Sequence, residues 1–248
     1  SEALRAIPEF QKFIHLYIDD LFAHSKSEID LLTRLERIYE VFAARGLCMN
    51  PKKTIIGASK LEYLGYTITD QGTLLVNEDK RKALFNFEKP VYHKQLKSFI
   101  GILNTFNKHI KNCGEKQKAL TMLSGSYSRK TAGLKVKWNP EASRAFEELK
   151  QDIKNMPTLH LKGKSEEFKF VLRTDASDYG CGAHLVQKRK LGFTDDGTEK
   201  LGEDETLMFV SKAFDKTQLD WCTAEKECYA VWYACNKLEY LLEGETFI

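Results

Sequence analysis

The sequence lacks several features that would assign it to a membrane, a secretory pathway or a zinc site. No apolar stretch approaches the roughly 20 residues that span a bilayer, and the N-terminus lacks the basic-then-apolar pattern of a signal peptide. The six cysteines form no Cys-x-x-Cys pair, which argues against a zinc site and a disulfide framework. At 248 residues and 42% hydrophobic content, the chain can form one large or two modest globular domains.

Two adjacent carboxylates occur near the beginning of the chain, in the tetrapeptide Tyr17-Ile18-Asp19-Asp20. Residues 13–17 predict a strand and residues 21–24 its antiparallel return, so the acidic pair should lie at or beside a tight turn. Close carboxylates repel each other, and a divalent cation with oxygen ligands, such as Mg²⁺, compensates that charge. The tetrapeptide alone leaves two alternatives open, a metal-binding catalytic pair and a solvated acidic turn.

Positive charge is concentrated in the middle of the chain. Residues 80–137 contain fourteen Lys and Arg against Glu88 and Glu115, a net charge of +12, whereas the remainder has 24 positive and 33 negative groups, or −9. A run of like charge is often only a solvated surface, but a basic region also suits the phosphate backbone of a nucleic acid.

Apolar periodicity predicts the elements of the first half. We expect a helix over residues 27–45 that ends at Gly46, one strand over 60–69 with a return over 73–76, and a linker over 124–133. A further helix is predicted over residues 138–156. The helix predicted over residues 94–110 has a buried stripe of Leu96, Phe99, Leu103, Phe106 and Ile110, and an opposite stripe of Lys97, Gly101, Thr105 and Lys108.

A second candidate carboxylate site lies in the last third. Residues 168–175 predict a strand that ends at Asp175, residues 180–186 its hairpin partner, and residues 188–206 an extended loop. Thr223 is the expected cap of a following helix. Its apolar stripe would contain Glu227, and a carboxylate facing a sheet is costly unless it is paired or metal-bound, so we select Glu227 rather than Glu225. The alternative is a partly solvated Glu227. The full predicted stripe is Glu227, Val231, Ala234, Leu238 and Leu241.

Several motifs follow the acidic tetrapeptide along the chain. The first two are Leu47-Cys48-Met49-Asn50-Pro51-Lys52-Lys53 and Tyr63-Leu64-Gly65-Tyr66, and the later ones are Trp138-Asn139-Pro140, Thr174-Asp175-Ala176-Ser177 and Thr223-Ala224-Glu225-Lys226-Glu227. In this order they resemble the reverse transcriptases of gypsy-like LTR retrotransposons and retroviruses, and the last three resemble the RNase H region of the same polyproteins. The resemblance covers nearly the whole chain.

This resemblance implies an α+β fold with four regions. They are the C-terminal part of a polymerase palm over residues 1–78, a helical thumb over 79–137, a connecting helix and linker over 138–166, and the N-terminal part of an RNase H-like domain over 167–248. The family uses two Mg²⁺ ions per active site, or Mn²⁺ in their place. The implied catalytic and metal-binding residues are Asp19 and Asp20 for the polymerase and Asp175 and Glu227 for RNase H.

The resemblance also implies the partners, namely an RNA/DNA hybrid or template-primer duplex and deoxynucleoside triphosphates. The family has a third polymerase Asp, a fingers subdomain and further RNase H carboxylates, which are missing here, so we expect an interior piece with weak or no activity that needs those segments in cis or in trans. Residues 1–7 resemble the tail of a palm helix. The expected location is the cytoplasm, including a virus-like particle, with access to the nucleus. The alternative is a domesticated or truncated product that binds nucleic acid or protein without catalysis. The implied nucleic-acid contacts are Tyr17, Leu64, Gly65, Tyr66, Lys97, Gly101, Thr105 and Lys108.

Overall fold

The computed structural model describes residues 7, 8, 10–125 and 132–248, with only the backbone of Gln11. Contacts within the chain define two compact units, Ser1–Tyr63 and Leu64–Ile248, and each is described by itself. Most of the predicted palm-helix tail over residues 1–7 and of the predicted linker over residues 124–133 lies outside the described residues. None of the described helices is both long and apolar enough to cross a bilayer.

The first unit consists of a hairpin covered by one helix. Strands β1 (Ile14–Tyr17) and β2 (Asp20–Ala23) pair antiparallel, and α1 (Glu28–Ala44) packs on them. The Ser27 side chain caps α1, and Gly46 follows it with a left-handed φ of 64°, so both predicted helix ends are confirmed. A 3₁₀ turn (Phe10–Lys12) precedes the hairpin and β3 (Lys60–Tyr63) ends the unit. Its core contains Phe10, Phe13, Ile14, Ile38 and Val41.

The predicted continuous strand over residues 60–69 is wrong. After β3 the chain adopts positive φ at Leu64 (53°) and Gly65 (83°), and β4 (Tyr66–Thr69) begins only afterwards. The alternation of apolar and polar side chains repeats every two residues, so it continues unchanged across the two-residue break at Leu64 and Gly65 and does not reveal it. In the second unit β4 pairs with β5 (Thr73–Val76), and β5 pairs with the short β6 (Leu159–His160).

Four helices of the second unit share one apolar core. They are α2 (Glu78–Phe85), α3 (His93–Phe106) with a following 3₁₀ turn (Asn107–His109), α4 (Cys113–Ser124) and α5 (Pro140–Lys154). The predicted helix over residues 138–156 is confirmed with Asn139 as its cap. The predicted stripe of the helix over residues 94–110 is also confirmed, since Leu96, Phe99, Leu103, Phe106 and Ile110 are each at most 1% exposed.

The last part of the chain forms a three-stranded antiparallel sheet. Its order is β7 (Phe168–Ala176), β8 (Gly180–Phe193) and β9 (Glu199–Ala213). The predicted loop over residues 188–206 is therefore wrong, because most of it extends the β8–β9 hairpin. Backbone hydrogen bonds between the two strands need no pattern of apolar side chains. In this charged segment, cross-strand ion pairs such as Lys188–Asp204 (3.0 Å) add to them.

Helices α6 (Lys216–Leu219), α7 (Thr223–Lys237) and α8 (Glu239–Leu242) complete the second unit, with α7 packed on β7 and β8. The predicted cap at Thr223 is wrong by one residue, because Cys222 is the N-cap. The predicted stripe of α7 is also partly wrong. Its buried residues are Lys226, Ala230 and Ala234, followed by Leu238, whereas Val231 is exposed and Glu227 is half-buried.

Candidate functional site

The acidic tetrapeptide forms a two-residue hairpin turn, as predicted. Tyr17 pairs with Asp20, which leaves Ile18 and Asp19 as the turn. Ile18 has a φ of 53°, a left-handed conformation that is strained for a β-branched residue and that occurs preferentially at functional sites. Tyr17 and Ile18 are 52% and 73% exposed, and both carboxylates are exposed beside them. The turn therefore presents the two aspartates to solvent.

An aromatic pair lies behind the acidic turn. The rings of Phe22 and Tyr63 are 5.4 Å apart between centroids. Burial raises the pKa of the Tyr63 hydroxyl, and the charge of Asp20 raises it further, with a smaller contribution from Tyr17. Asp20 itself is exposed.

The turn fits Mg²⁺ as part of a ligand set. Carboxylate oxygens are the hard ligands that Mg²⁺ prefers, and the ion commonly takes one or two carboxylates and completes its shell with water and phosphate oxygens. Asp19 and Asp20 supply two such groups on adjacent residues. In the described part of the chain, no group of three or more His, Cys, Asp and Glu side chains is arranged to hold a metal ion.

Three residues implied to contact nucleic acid touch one another. The Tyr66 hydroxyl donates to the carbonyl oxygen of Thr105 at 2.6 Å, and the Lys108 ammonium lies 4.2 Å from the centroid of the Tyr66 ring. Burial raises the pKa of Tyr66 to about 12 and lowers the pKa of Lys108. Lys108, which was predicted on the outer stripe, is therefore half-buried against Tyr66. The chain leaves α3 for a 3₁₀ turn before Lys108, which changes the direction of this side chain.

The other three residues of the outer stripe lie on the exposed face of α3. Lys97, Gly101 and Thr105 are all exposed. A Cβ added to Gly101 would meet nothing within 4 Å, so this part of the helix surface is bare backbone facing solvent. A helix with a side-chain-free segment beside a lysine allows close approach of a sugar-phosphate chain.

His109 is a buried residue that is not among the site residues predicted from the sequence. It is 1% exposed, its ring stacks on Tyr66 at 5.7 Å, and Nδ1 donates to the carbonyl oxygen of Pro157 at 3.1 Å. Burial lowers its pKa to about 4. The position before the buried Ile110 was the one signal that it faces the core. His109 thereby links the turn after α3 to the segment after α5.

The carboxylates of the second site lie on two elements that pack together. Asp175 is exposed near the end of β7, opposite Gly182 in register. The buried Phe168 and Phe170 alternate with it, so Asp175 is on the face of β7 opposite the core under α7 and α8. Glu227 is half-buried in the second turn of α7. Glu225 accepts a hydrogen bond from the Cys222 amide at 2.8 Å and so caps the N-terminus of α7.

Comparison with known families identifies the two parts of the chain. Residues 1–68 match the reverse transcriptase (RNA-dependent DNA polymerase) family, and residues 138–248 match the RNase H-like domain found in reverse transcriptase. The two matches, in this order along one chain, confirm the resemblance predicted from the sequence. The finer boundaries at residues 78, 137 and 166 stay a prediction.

Particular relatives are the transposon polyproteins of Schizosaccharomyces pombe. The chain is 29% identical to the Tf2-3 polyprotein and 28% identical to the Tf2-7 polyprotein, in each case over 228 residues, which are 92% of this chain and 16% of the polyprotein. The chain thus spans about one sixth of the length of these relatives, and the predicted origin in a gypsy-like LTR retrotransposon is confirmed.

Solved structures of the foamy viral protease-reverse transcriptase have a similar fold. The chain matches the complex with RNA/DNA hybrid with a TM-score of 0.74 and 21% identity over 99% of this chain and 30% of the viral chain. A complex with dsDNA gives a TM-score of 0.74 and 22% identity over 99% of this chain and 47% of the viral chain. The predicted α+β fold is confirmed.

Proposed function

We propose that this chain is part of an RNA-directed DNA polymerase with RNase H activity from a retrotransposon polyprotein. The observation that carries the proposal is the position of the four acidic residues relative to the two families. Asp19 and Asp20 lie on an exposed turn inside the reverse transcriptase match, and Asp175 and Glu227 lie inside the RNase H-like match. No feature of the described residues favours a non-catalytic binding module instead.

In the polymerase role, Asp19 and Asp20 hold the divalent ions at the hairpin turn. When bound, two Mg²⁺ ions, or Mn²⁺, supply the charge that activates the primer 3′-oxygen and stabilises the leaving pyrophosphate of a deoxynucleoside triphosphate. The hairpin turn at Ile18 and Asp19 places the two carboxylates on adjacent residues at the exposed end of β1 and β2. Tyr17 precedes the pair and lies at the same surface, where it can contact the nucleic acid.

In the RNase H role, Asp175 and Glu227 supply carboxylate oxygens from β7 and α7. If bound here, two divalent ions would supply the charge that activates water, and each would need several oxygen ligands. Asp175 is exposed and Glu227 is half-buried, so each carboxylate is open to solvent, with Asp175 on the face of β7 that is turned away from α7.

The proposed partner is an RNA/DNA hybrid or template-primer duplex. The exposed Lys97-Gly101-Thr105 face of α3 and the net charge of +12 over residues 80–137 support this partner. The foamy viral relatives were solved with RNA/DNA hybrid and with dsDNA. Leu64, Gly65 and Tyr66 then form the primer grip, a segment that positions the primer end, with Tyr66 acting as its support through Thr105 and Lys108.

The chain by itself is expected to show weak or no polymerase activity, because two carboxylates do not complete a two-ion site. Measurable primer extension by the 248 residues with Mg²⁺ and an RNA template would contradict this expectation. An active assembly takes the remaining palm, fingers and RNase H segments in cis or in trans. Its proposed location is the cytoplasm or a virus-like particle, with access to the nucleus.

Binding of the intact chain to a fluorescent RNA/DNA hybrid, measured by anisotropy at several salt concentrations, tests the proposed partner. Gly101→Glu places a negative charge on the outer face of α3 without a clash, and we expect it to weaken binding by on the order of tenfold, or about 1.4 kcal/mol. Met122→Glu is the matched control, because Met122 is an exposed residue of α4 and the charge change is the same. Equal effects of the two variants, or no binding by the wild type, would contradict the proposal.

A further inference from the structure

The side chain of Lys80 lies over the primer grip. The Asn77 amide donates to the Gly65 carbonyl oxygen at 3.0 Å, and the Asn77 side-chain oxygen accepts from the Lys80 amide at 3.3 Å. These two bonds fix the first turn of α2 beside Gly65. A Cβ placed on Gly65 would lie 3.2 Å from Cδ and 3.3 Å from both Cε and Nζ of Lys80. The ammonium group is therefore held next to the bare backbone of the primer grip.

This ammonium has no protein partner within the part of the chain that the structure describes, in contrast to its neighbours on α2. Arg81 and Lys82 both pair with Glu78, at 2.7 Å and 3.7 Å, whereas Lys80 Nζ makes neither an ion pair nor a hydrogen bond. Lys80 is exposed, so its charge is hydrated and available to an external anion. The carboxylate nearest to Lys80 in sequence is Asp79, which is also exposed.

The conformation of Gly65 explains why Lys80 can lie so close to this segment. Its φ of 83° is one that residues with a side chain rarely adopt, and the absence of a Cβ leaves the room in which the Lys80 side chain lies, beside the exposed Leu64. An exposed ammonium held at this segment complements a phosphodiester group, which needs a positive charge within reach of its oxygens.

We propose that Lys80 binds a backbone phosphate of the nucleic-acid strand that reaches the Leu64-Gly65-Tyr66 segment. This inference rests on the proposed function and adds to it a binding residue outside the set implied by the sequence. Lys80 acts on the strand by charge and position and takes no part in the chemical step. Its contribution is independent of base sequence, as expected of a phosphate contact.

The salt dependence of hybrid binding separates Lys80 from its neighbour Lys82. Loss of one phosphate contact lowers the magnitude of the slope of log K against log salt concentration by about 0.9. We expect Lys80→Gln to show this change, Lys82→Gln to show less than half of it, and Lys80→Arg to keep the wild-type slope. Lys82 is the matched control because it is exposed, lies on the same helix and is already paired with Glu78.

A neutral methylphosphonate moved along the primer strand locates the contact. At the phosphate that Lys80 binds, the affinity difference between wild type and Lys80→Gln should disappear, because the two changes remove the same interaction and are not additive. The inference would be overturned by equal slopes for Lys80→Gln and Lys82→Gln, or by an affinity difference that persists at every methylphosphonate position. In either case, hybrid binding by the wild type would still support the proposed function. A wild-type chain that does not bind the hybrid overturns both.

Discussion

Replacing Gly114 by Ala tests how α4 contacts the β8–β9 hairpin. A Cβ on Gly114 would lie 2.9 Å from the carbonyl oxygen of Ser211, 3.0 Å from its carbonyl carbon and 3.2 Å from the Cα of Lys212. The Gly114 amide also donates to the Ser211 hydroxyl at 2.8 Å, and the Lys118 ammonium donates to the carbonyl oxygen of Phe214 at 2.5 Å. All the atoms that the new methyl group would meet belong to the backbone of β9, so a rotamer change cannot relieve the clash.

The expected destabilisation follows from three contributions. Overpacking against atoms that cannot move aside costs about 1–3 kcal/mol. Lengthening or losing the Gly114–Ser211 hydrogen bond costs about 0.5–1.5 kcal/mol. The better helix propensity of Ala returns about 0.5–1 kcal/mol at most. We therefore expect Gly114→Ala to lower the free energy of unfolding by roughly 0.5–4 kcal/mol.

The same substitution at Gly101 is the control, because it should have the opposite sign. Gly101 is an exposed residue of α3 and its added Cβ would meet nothing within 4 Å, so only the propensity gain of about 0.5–1 kcal/mol remains. Urea unfolding followed by tryptophan fluorescence reports on the second unit, since all three tryptophans lie there. If both variants shift the unfolding midpoint in the same direction, the close approach of α4 to β9 is refuted.

Three further changes test the polar groups of the second unit. Lowering the pH from 6.5 towards 4 should destabilise it by on the order of 3 kcal/mol, because burial lowers the pKa of His109 to about 4 and the unfolded chain takes up a proton that the folded chain excludes. His109→Asn should flatten this dependence of the urea midpoint on pH, and equal slopes would contradict it. Tyr66→Phe removes the hydrogen bond to the Thr105 carbonyl oxygen and should lower the free energy of unfolding by about 1 kcal/mol. An unchanged urea midpoint would show that this bond contributes nothing. The hydrogen bond from Arg173 lowers the pKa of Asp204 to about 2. The ionised Asp204 therefore stabilises the fold fully above pH 3.8, and this stabilisation is lost as the pH falls through 2. An NMR titration of the Asp204 carboxyl group with a midpoint near 3.8 would refute the lowered pKa.

Local rules of sequence predicted the elements that carry most of the site. Apolar periodicity and a terminal glycine predicted the extent of α1, and the strand-turn-strand pattern placed Asp19 and Asp20 at the hairpin turn. Each of these features depends on residues a few positions apart. The buried stripe of α3 was predicted for the same reason, because a helix repeats its contacts every three to four residues.

Features that depend on distant residues could not be predicted. The sequence places Lys80 fifteen residues after Gly65 and gives no sign that the two side-chain positions meet. Lys108 was expected at the surface, but its contact with Tyr66 comes from packing between β4 and the turn after α3. The hairpin over residues 188–206 escaped prediction because its stability comes from cross-strand backbone bonds and ion pairs, which leave no periodic apolar pattern.

The error in the stripe of α7 removes the reason for which Glu227 was selected over Glu225, because Glu227 is half-buried, as in the partly solvated alternative. The buried position that the prediction assigned to Glu227 is occupied by Lys226, whose aliphatic stem fits an apolar contact while its ammonium lies 6.0 Å from the Phe214 ring centroid and 3.8 Å from the Asp178 carboxylate. A lysine can extend its charge out of the core in this way, but the shorter glutamate cannot. With Lys226 covering the core, Glu227 is held at the border between protein and solvent. A carboxylate at this border costs less free energy than a buried one. It also stays accessible to a hydrated ion, as a ligand of Mg²⁺ must.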